Sequence, residues 1–369
     1  MKILFLTQTG ILGPASRYRV FQFLDYLKNR GVDCTVSPAI SDCFYPFFYE
    51  KKCGFLKKLL KAFIIITKRI GNLFCIRKFD AVFIQKEILP GCHPFFEFFI
   101  TRFAKKTVFD FDDSIFLSAK DRIKAAQFSD VNNSPRFTKL FARFSSLTVG
   151  NRYLFNIAHK FNKKTTLIPT SINTECYKGS ICSSSKVSER INIGWIGSFS
   201  TLPYLKIVEK PLISVSKQFK LTFVVVGPAK GHKALQNIFS KTFFDNVNLD
   251  YVIWNGEKEA EQLASFDIGI APLPDIPWSR GKCGCKLLQY MALGIPSIVS
   301  PVGIHKDIIV QSKNGLFAGT EKEWIDGLSL LIKNPGIRHS FRNNAVETVE
   351  NSYSLRKNAV LLEKVLKNL

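Results

Sequence analysis

The stretch GKCGCKLLQYMALG, residues 281–294, combines residue types that can hold an anion. Lys282 and Lys286 supply positive charge, and the glycines allow backbone N–H groups to approach a ligand closely. A helix predicted to begin near Lys286 would direct its positive end toward the same loop. The preceding strand, Ile268–Ala271, is of the buried parallel type, and open α/β sheets bind ligands beyond the carboxyl ends of such strands. We therefore expect a bound diphosphate; the alternative is a helix start with solvated lysines.

The cysteines and histidines do not predict a metal site. The nine cysteines are scattered and contain no CxxC pair, so neither a zinc ribbon nor a disulfide framework is indicated. Cys283 and Cys285 form a single CxC without further ligands at suitable spacing. Two small residues in a tight turn explain this pair better than a metal does.

The net charge of +23 implies an anionic partner, which can be a nucleic acid, a membrane surface or a phosphorylated substrate. The chain of 369 residues is 46% hydrophobic, which favours two folded domains over disorder. The N-terminal segment MKILFLTQTG has too short an apolar run for a signal peptide and is better interpreted as a first buried strand. We expect a cytoplasmic protein.

Strand and helix patterns alternate along both halves of the chain, which predicts the α/β class with doubly wound parallel sheets. The Ser-rich, polar segment KGSICSSSKVSER interrupts the alternation and is typical of a linker. The predicted division is an N-terminal domain (1–175), a linker (176–190), a C-terminal domain (191–350) and a last amphipathic helix (351–369).

Several segments together carry a family likeness. The run from Asp267 to Gly303, which includes the lysine–glycine loop, resembles the donor-binding segment of family 4 (group 1) GT-B glycosyltransferases. Further matching segments are INIGWIGSFST (191–201), NGLFA (314–318), NSYSL (351–355), PASRYRV (14–20), VFDFDDSIF (108–116) and LIPTSINTECY (167–177). The N-terminal segments resemble a branch that acts in polysaccharide or lipid-linked glycan assembly, such as lipopolysaccharide synthesis.

The resemblance implies a GT-B fold, in which two Rossmann-like domains with a cleft between them transfer a sugar from a nucleotide-diphosphate-sugar to a hydroxyl. It implies retention at the sugar, and the donor can carry uridine or guanosine. The acceptor would be a glycan or a lipid-linked glycan. No cofactor and no metal are expected, since this fold does not require a metal-binding DxD motif. The literal DxD at Asp110 and Asp112 lies in the acceptor-side domain.

The resemblance also implies which residues bind the donor: Gly197, Ser198, Trp254, Asp275, Trp278, Lys282, Gly284, Cys285, Lys286 and Gln289. For Trp254, a buried core position is an equal alternative. Many relatives carry a Glu-x7-Glu motif where this chain has Gly281 and Gln289. The departure leaves a second hypothesis, a catalytically silent sugar-nucleotide-binding subunit.

In the N-terminal domain, Gly13, Ser16, Arg17 and Arg19 are candidates for the first loop and the acceptor site, because arginines can clamp a phosphate. Ordinary surface charge is the alternative for the two arginines. Asp110 and Asp112 are candidate catalytic carboxylates, which we expect on one face of a strand. Asp112 aligns with a histidine that relatives often place near the acceptor or donor sugar. Asp113 can instead cap the helix that follows.

Residues 51–78 contain nine Lys or Arg and no Asp or Glu, together with apolar residues at three- to four-residue spacing. This pattern is typical of an interfacial amphipathic helix, and each cation near an anionic leaflet contributes ~1 kcal/mol. The candidate membrane residues are Lys57, Lys58, Lys61 and Phe63. They predict peripheral attachment to the inner face of the cell membrane. The alternative is a helix that packs its apolar stripe on the sheet.

Nucleic-acid binding is the remaining alternative and rests on charge alone. None of the common nucleic-acid-binding sequence patterns occurs. The basic residues cluster beside an apolar stripe and not beside exposed aromatic residues. We therefore predict a glycosyltransferase without a nucleic-acid partner.

Overall fold

The computed structural model describes residues 1–48, 54–89, 94–117, 135–178 and 190–369. The chain forms two compact units. The first unit comprises residues 1–171, 276–283 and 355–369, and the second comprises residues 172–275 and 284–354. Each unit is built on its own six-stranded sheet.

The strands are β1 (Lys2–Thr9), β2 (Asp33–Ile40), β3 (Ala81–Gln85), β4 (Thr107–Phe111), β5 (Ser146–Val149), β6 (Thr165–Leu167), β7 (Ile191–Ile196), β8 (Leu221–Gly227), β9 (Asn248–Ile253), β10 (Ile268–Ala271), β11 (Ser297–Val299) and β12 (Leu316–Phe317). The α-helices are α1 (Pro14–Arg19), α2 (Leu24–Asn29), α3 (Tyr45–Phe48), α4 (Phe55–Cys75), α5 (Phe95–Phe103), α6 (Pro135–Phe141), α7 (Arg152–Ala158), α8 (Glu175–Lys178), α9 (Glu209–Ser216), α10 (Gly231–Leu235), α11 (Lys241–Asn246), α12 (Glu259–Ala264), α13 (Pro277–Arg280), α14 (Cys285–Ala292), α15 (His305–Ile308), α16 (Glu321–Lys333), α17 (Pro335–Thr348) and α18 (Leu355–Lys367). Short 3₁₀ turns cover Phe21–Phe23, Asp42–Phe44, Ile76–Lys78 and Leu202–Val208, and a π turn covers Val349–Tyr353.

Both sheets are parallel, and in each the strand order reverses direction next to the first strand. The first sheet has the order β2-β1-β3-β4-β5-β6, and the second has the order β12-β11-β10-β7-β8-β9. This is the doubly wound arrangement, whose ligands bind where the order reverses, beyond the carboxyl ends of the strands. The predicted α/β class is confirmed.

Alternate residues of the first sheet enter two hydrophobic cores. Leu4 and Leu6 of β1 belong to one core, while Ile3 and Phe5 belong to the other. The second of these cores also contains the apolar face of α18, so the C-terminal helix is part of the first unit. Residues that alternate in this way cover both faces of a parallel sheet.

Two local predictions differ from the structure. The apolar spacing of the sequence predicts one helix from about Arg17 to Arg30, but the structure has the two short helices α1 and α2, because Val20 has a non-helical backbone (φ −131°, ψ −64°) between them. Asp112 does not share a strand with Asp110, since β4 ends at Phe111. The domain boundaries remain a prediction. Residues 276–283 fall inside the predicted C-terminal domain but pack in the first unit, and most of the predicted linker lies outside the described residues.

Candidate functional site

In the second unit, Lys286 lies in the first turn of α14, and its ammonium is held at the loop that follows β7. Lys286 Nζ donates to Thr201 Oγ1 at 3.1 Å and lies 5.0 Å from the centre of the Trp195 ring. Both contacts are to residues at the carboxyl end of β7 or just beyond it. A fixed cation therefore stands at the end of the strand where the sheet order reverses.

Two glycines shape the same region. A Cβ on Gly197 would overlap the Trp195 ring and would lie 2.8 Å from Lys286 Cε, so this close approach requires glycine. Gly284 precedes α14 in the left-handed conformation with φ +67°, which glycine adopts without strain. No side chain caps α14 at Gly284, so the first-turn N–H groups can bind an anion.

The other predicted donor residues of the second unit have separate settings. Gln289 is buried on α14 beside the Cys285 thiol, with Sγ 3.8 Å from Oε1. Ser198 shares a hydrogen bond with Ser200 at 2.9 Å in the exposed loop, and Asp275 is exposed. The structure therefore brings Gly197 and Lys286 together.

Trp254 follows β9 and is fixed by a buried carboxylate. Its indole Nε1 donates to Glu259 Oε2 at 2.8 Å, and the Tyr177 hydroxyl donates to the other oxygen of Glu259 at 3.2 Å. Trp254 is half-buried and directly follows β9, which is an edge strand of the second sheet. This position suits a stacking contact with a base.

His305 is a polar residue of this region that sequence reasoning missed. Its Nδ1 lies 2.9 Å from the carbonyl oxygen of Ser300, which can only accept, so Nδ1 carries the proton. Burial lowers the pKa of His305 to about 4, and the ring is neutral at physiological pH. The sequence signal that could have indicated His305 is its position shortly after the end of β11, four residues beyond Pro301.

In the first unit, Arg19 and Asp110 form a buried ion pair with two parallel hydrogen bonds. Arg19 Nε and Nη2 donate to the two oxygens of Asp110 at 3.1 and 2.5 Å, and Nη1 donates to the Ile168 carbonyl at 2.5 Å. Thr148 Oγ1 donates to Asp110 at 2.7 Å. Burial acts to lower the pKa of Arg19, but Asp110 outweighs it and raises that pKa above its usual value.

These contacts correct two predictions. Arg19 was expected to clamp a phosphate and Asp110 to act as a catalytic carboxylate. Their side chains are only 2% and 1% exposed, and each is already bonded to the other. The pair instead ties α1 to β4 inside the first unit.

Lys86, Asp112, Asp113 and Lys282 form a chain of ion pairs beyond the carboxyl ends of β3 and β4. Lys86 Nζ lies 2.8 Å from Asp112 Oδ1 and 2.6 Å from Asp113 Oδ2, and Lys282 Nζ lies 2.7 Å from Asp113 Oδ1. Burial acts to raise the pKa of Asp113, but Lys282 and Lys86 outweigh it and hold that pKa well below its usual range. Asp113 therefore binds the two lysines and does not cap a helix among the described residues.

The segment 276–283 is anchored to this edge of the first sheet. The Asn151 amide donates to the carbonyls of Arg280 and Lys282 at 3.1 and 2.9 Å, and Cys283 Sγ donates to the Asp112 carbonyl at 3.1 Å. Burial raises the pKa of the Cys283 thiol, so this cysteine is a neutral packing residue.

The same anchoring changes the predicted roles of two donor residues. Lys282 was expected to face the diphosphate together with Lys286. Its ammonium instead pairs with Asp113 and lies 4.4 Å from the centre of the half-buried Trp278 ring. Lys282 and Trp278 thus belong to the first unit, and only Lys286 remains with the loop after β7.

The first loop, between β1 and α1, is fixed by hydrogen bonds of buried side chains. Ser16 is buried and its hydroxyl bonds Thr9 Oγ1 at 2.9 Å and Gln85 Oε1 at 3.1 Å, and a Cβ on Gly13 would overlap the Thr9 side chain. Ser16 is therefore a structural residue of this loop. Arg17 is half-buried, with its guanidinium 4.9 Å from the centre of the Tyr18 ring.

Helix α4 turns its apolar stripe toward solvent. Arg69 anchors the opposite side, since its guanidinium donates to the carbonyls of Ser37 and Thr7 at 2.9 and 2.7 Å. The apolar side chains left exposed are Phe55, Leu56, Leu59, Leu60, Phe63, Ile66, Ile70 and Phe74. The alternative in which this stripe packs on the sheet is therefore wrong.

The candidate membrane residues differ in their exposure and in their contacts. Lys57 is exposed beside the stripe, and Phe63 is 64% exposed within it. Lys61 donates to the Phe48 carbonyl at 3.3 Å and lies over the Phe47 ring at 4.9 Å. The Lys58 side chain lies outside the described part of the chain. None of the helices in the described ranges is long and apolar enough to cross a bilayer.

A comparison with known protein families finds a match for the part of the chain that contains Lys286. Residues 190–334 match the model of the family described as glycosyl transferases group 1. This segment is therefore similar to group 1 glycosyltransferases. No curated protein matches the chain.

Solved structures extend the comparison to the whole chain. HepE from Anabaena, in complex with UDP and glucose, is 14% identical over 100% of both chains with a TM-score of 0.73. Sucrose-phosphate synthase from Thermosynechococcus elongatus is 12% identical over 100% of this chain and 98% of its own, with a TM-score of 0.71. WaaG, a glycosyltransferase involved in lipopolysaccharide biosynthesis, is 13% identical over 97% and 99%, with a TM-score of 0.63. The predicted GT-B fold is confirmed.

Proposed function

We propose that the protein transfers a sugar from a nucleotide-diphosphate-sugar to a hydroxyl of a glycan or lipid-linked acceptor, with retention at the sugar. The observation that carries this proposal is the fixed ammonium of Lys286, 3.1 Å from Thr201, within the segment that matches the group 1 glycosyltransferases. Gly197 leaves room beside it, and the uncapped start of α14 adds backbone donors.

The chemistry requires a cation at the leaving group. When the bond between the sugar C1 and the diphosphate oxygen breaks, negative charge grows on the diphosphate. A fixed ammonium and oriented N–H groups stabilise that growing charge more than they stabilise the bound donor. The acceptor oxygen forms the new bond to C1, and we assign its departing proton to the carboxylate of Asp112.

The similar solved structures favour one class of donor and one class of acceptor. HepE was solved with UDP and glucose, which favours a uridine donor over a guanosine donor. WaaG acts in lipopolysaccharide biosynthesis, which supports a lipid-linked glycan acceptor. We expect transfer without a metal ion.

The first test is thermal stabilisation of the protein by a panel of nucleotide diphosphates. A shift of about 5 °C with one nucleotide, lost in Lys286→Ala, is expected because binding to the folded state adds to its stability. Lys333→Ala is the matched control, since Lys333 also lies over an aromatic ring, Phe219, at 5.6 Å, but at the end of α16. No shift with any nucleotide in the folded protein would contradict the donor site.

A second measurement distinguishes an enzyme from a catalytically silent binding subunit. The silent subunit is a hypothesis because the neutral Gln289 stands where many relatives carry a glutamate. Radiolabelled donor is incubated with the protein and a polyprenol- or lipid-linked saccharide, and labelled product is separated from donor. Nucleotide binding without product would favour the silent subunit. Product would show transfer, and its anomeric configuration would test retention.

We also propose that α4 attaches the protein to the inner face of the cell membrane. The exposed apolar stripe would enter the interface, while Lys57 and its neighbours would meet anionic headgroups. Binding to vesicles that contain anionic lipid should fall at least tenfold in Phe63→Glu. Val360→Glu, at an apolar position of α18 that is 49% exposed, serves as the control. Equal binding by both variants would contradict the assignment.

A further inference from the structure

Helix α5 carries a row of phenylalanines on a side that faces away from the core. Phe96 and Ile100 are buried in the core of the first unit. Phe95, Phe99 and Phe103 follow one another at four-residue spacing and therefore share another side of the helix. Phe95 is 62% exposed and Phe103 is 37% exposed, and the ring centres of Phe99 and Phe103 lie 4.4 Å apart. An aromatic row that is left exposed in this way marks an interaction surface.

Two arginines flank the end of this row. The guanidinium carbons of Arg77 and Arg102 lie 5.6 and 5.7 Å from the centre of the Phe103 ring, and both arginines are exposed. A cation that lies over an aromatic face keeps its charge next to apolar surface. Further exposed cations close by in the sequence are Lys78, Lys105 and Lys106. Apolar rings with cations beside them are the combination that binds at the interface of an anionic membrane.

The acidic residues of the same segments are already engaged. Residues 74–80 and 94–106 contain five Lys or Arg, and their acidic residues are Asp80 and Glu97. Asp80 pairs with Lys105 at 3.5 Å, and Glu97 is buried and accepts a backbone hydrogen bond at 2.8 Å. The charge left at this surface is therefore positive. A positive surface fits a sheet of uniform negative charge better than a protein partner with mixed charges.

The same surface continues the exposed stripe of α4. Phe74, in the last turn of α4, is 83% exposed, and Arg77 follows in the 3₁₀ turn Ile76–Lys78 that directly continues the helix. Helix α5 packs against that turn. We define the α5 patch as Phe74, Arg77, Phe95, Phe99, Arg102 and Phe103. The patch begins where the stripe of α4 ends, within one compact unit.

We propose that the α5 patch is a second membrane contact, which binds an anionic phospholipid bilayer together with α4. The proposal rests on the proposed attachment of α4. The phenylalanine rings enter the interface, and Arg77 and Arg102 meet the lipid phosphates. Because both contacts belong to the same unit, they act as one bivalent site, and the loss of either contact weakens the attachment. Two contacts also fix the rotation of the first unit about the axis of α4, which a single helix would leave free.

The experiment measures sedimentation of the full chain with vesicles of phosphatidylcholine, with and without phosphatidylglycerol. Phe95→Glu and Phe103→Glu should each lower binding to the anionic vesicles at least tenfold, because each places a negative charge among the rings. Arg77→Gln should lower this binding about fivefold, which is the contribution of one cation at an anionic surface. Phe244→Glu is the matched control, since Phe244 is 39% exposed on α11 of the second unit, and it should bind like the wild type.

Arg77→Gln keeps the proposal testable if a glutamate variant does not fold, since it removes an exposed charge and leaves the rings in place. Wild-type binding by Phe95→Glu and Arg77→Gln, with binding lost in Phe63→Glu, would overturn the α5 patch and leave α4 as the contact. Unchanged vesicle binding by Phe95→Glu, together with loss of a dimer in sedimentation velocity, would also overturn it, because the patch would then join two copies of the chain. A wild-type protein that binds no anionic vesicle would instead refute the proposed attachment of α4.

Discussion

The buried ring of His305 predicts a specific dependence of stability on pH. Its pKa is lowered from 6.5 to about 4 in the folded protein. Between these values the unfolded chain binds a proton that the folded chain does not bind, so the free energy of unfolding falls as the pH falls from 6.5 toward 4. Below about pH 4 both states are protonated, and this contribution no longer changes.

The magnitude follows from the two pKa values. Each pH unit well inside the interval costs about 1.4 kcal/mol, and little is lost above pH 6.5. From pH 7 to pH 5 the loss attributable to His305 is therefore about 2 kcal/mol. The full interval would cost about 3 kcal/mol, and we regard this as an upper bound on the effect.

The assay is urea unfolding of the wild type and His305→Asn at pH 7, 6 and 5. Asparagine can still donate to the Ser300 carbonyl but does not titrate, so its curve should lose about 2 kcal/mol less than the wild-type curve over this range. His232→Asn, which changes an exposed histidine of the same unit, should follow the wild type. Parallel curves for the wild type and His305→Asn would refute the buried neutral ring.

Three further predictions concern the donor loop, the buried ion pair and the metal. Gly197→Ala should lower nucleotide affinity at least tenfold, because the new methyl group overlaps Trp195 and displaces Lys286; an unchanged affinity in a titration would contradict this. Arg19→Met leaves the carboxylate of Asp110 buried without its cation and should lower the free energy of unfolding by about 3–5 kcal/mol. A loss below about 1 kcal/mol in urea unfolding would contradict that role. Chelation of divalent cations should leave transfer within twofold of the untreated rate, and restoration by added Mg²⁺ or Mn²⁺ would show the opposite.

Two substitutions in the second unit serve as controls for Gly197→Ala and Arg19→Met. Gly336→Ala adds a methyl group that meets no atom within 4 Å and should leave nucleotide affinity unchanged. Lys322→Met breaks an exposed pair with Asp326 at 2.7 Å and should leave the free energy of unfolding close to that of the wild type.

The fold was predictable because parallel strands leave a strong sequence signal. The run Ala81–Gln85 is buried at every position, and runs of this kind between helical patterns indicate a doubly wound sheet. The cation at Lys286 was predictable for the same reason, since the end of β10 and the helix after it can be identified locally.

The ion pairs were not predictable, because their partners are distant in the sequence. Arg19 and Asp110 are 91 residues apart, and Lys282 and Asp113 are 169 residues apart. A sequence shows that such residues are charged, but the tertiary fold decides whether the charge meets a ligand or another side chain. The left-handed backbone of Lys86 carries no sequence signal either, although a lysine directly after a buried strand marks the edge where ligands bind.

The path of the chain through residues 276–283 limits how the protein can be divided. These eight residues pack in the first unit, although the chain on both sides of them belongs to the second. A contiguous fragment from 172 to 354 would expose the apolar side of Cys283 and lose its anchor at Asn151. Chimaeras that exchange donor preference with a relative should therefore take 172–275 and 284–354 from one parent and keep 276–283 with the N-terminal sequence of the other.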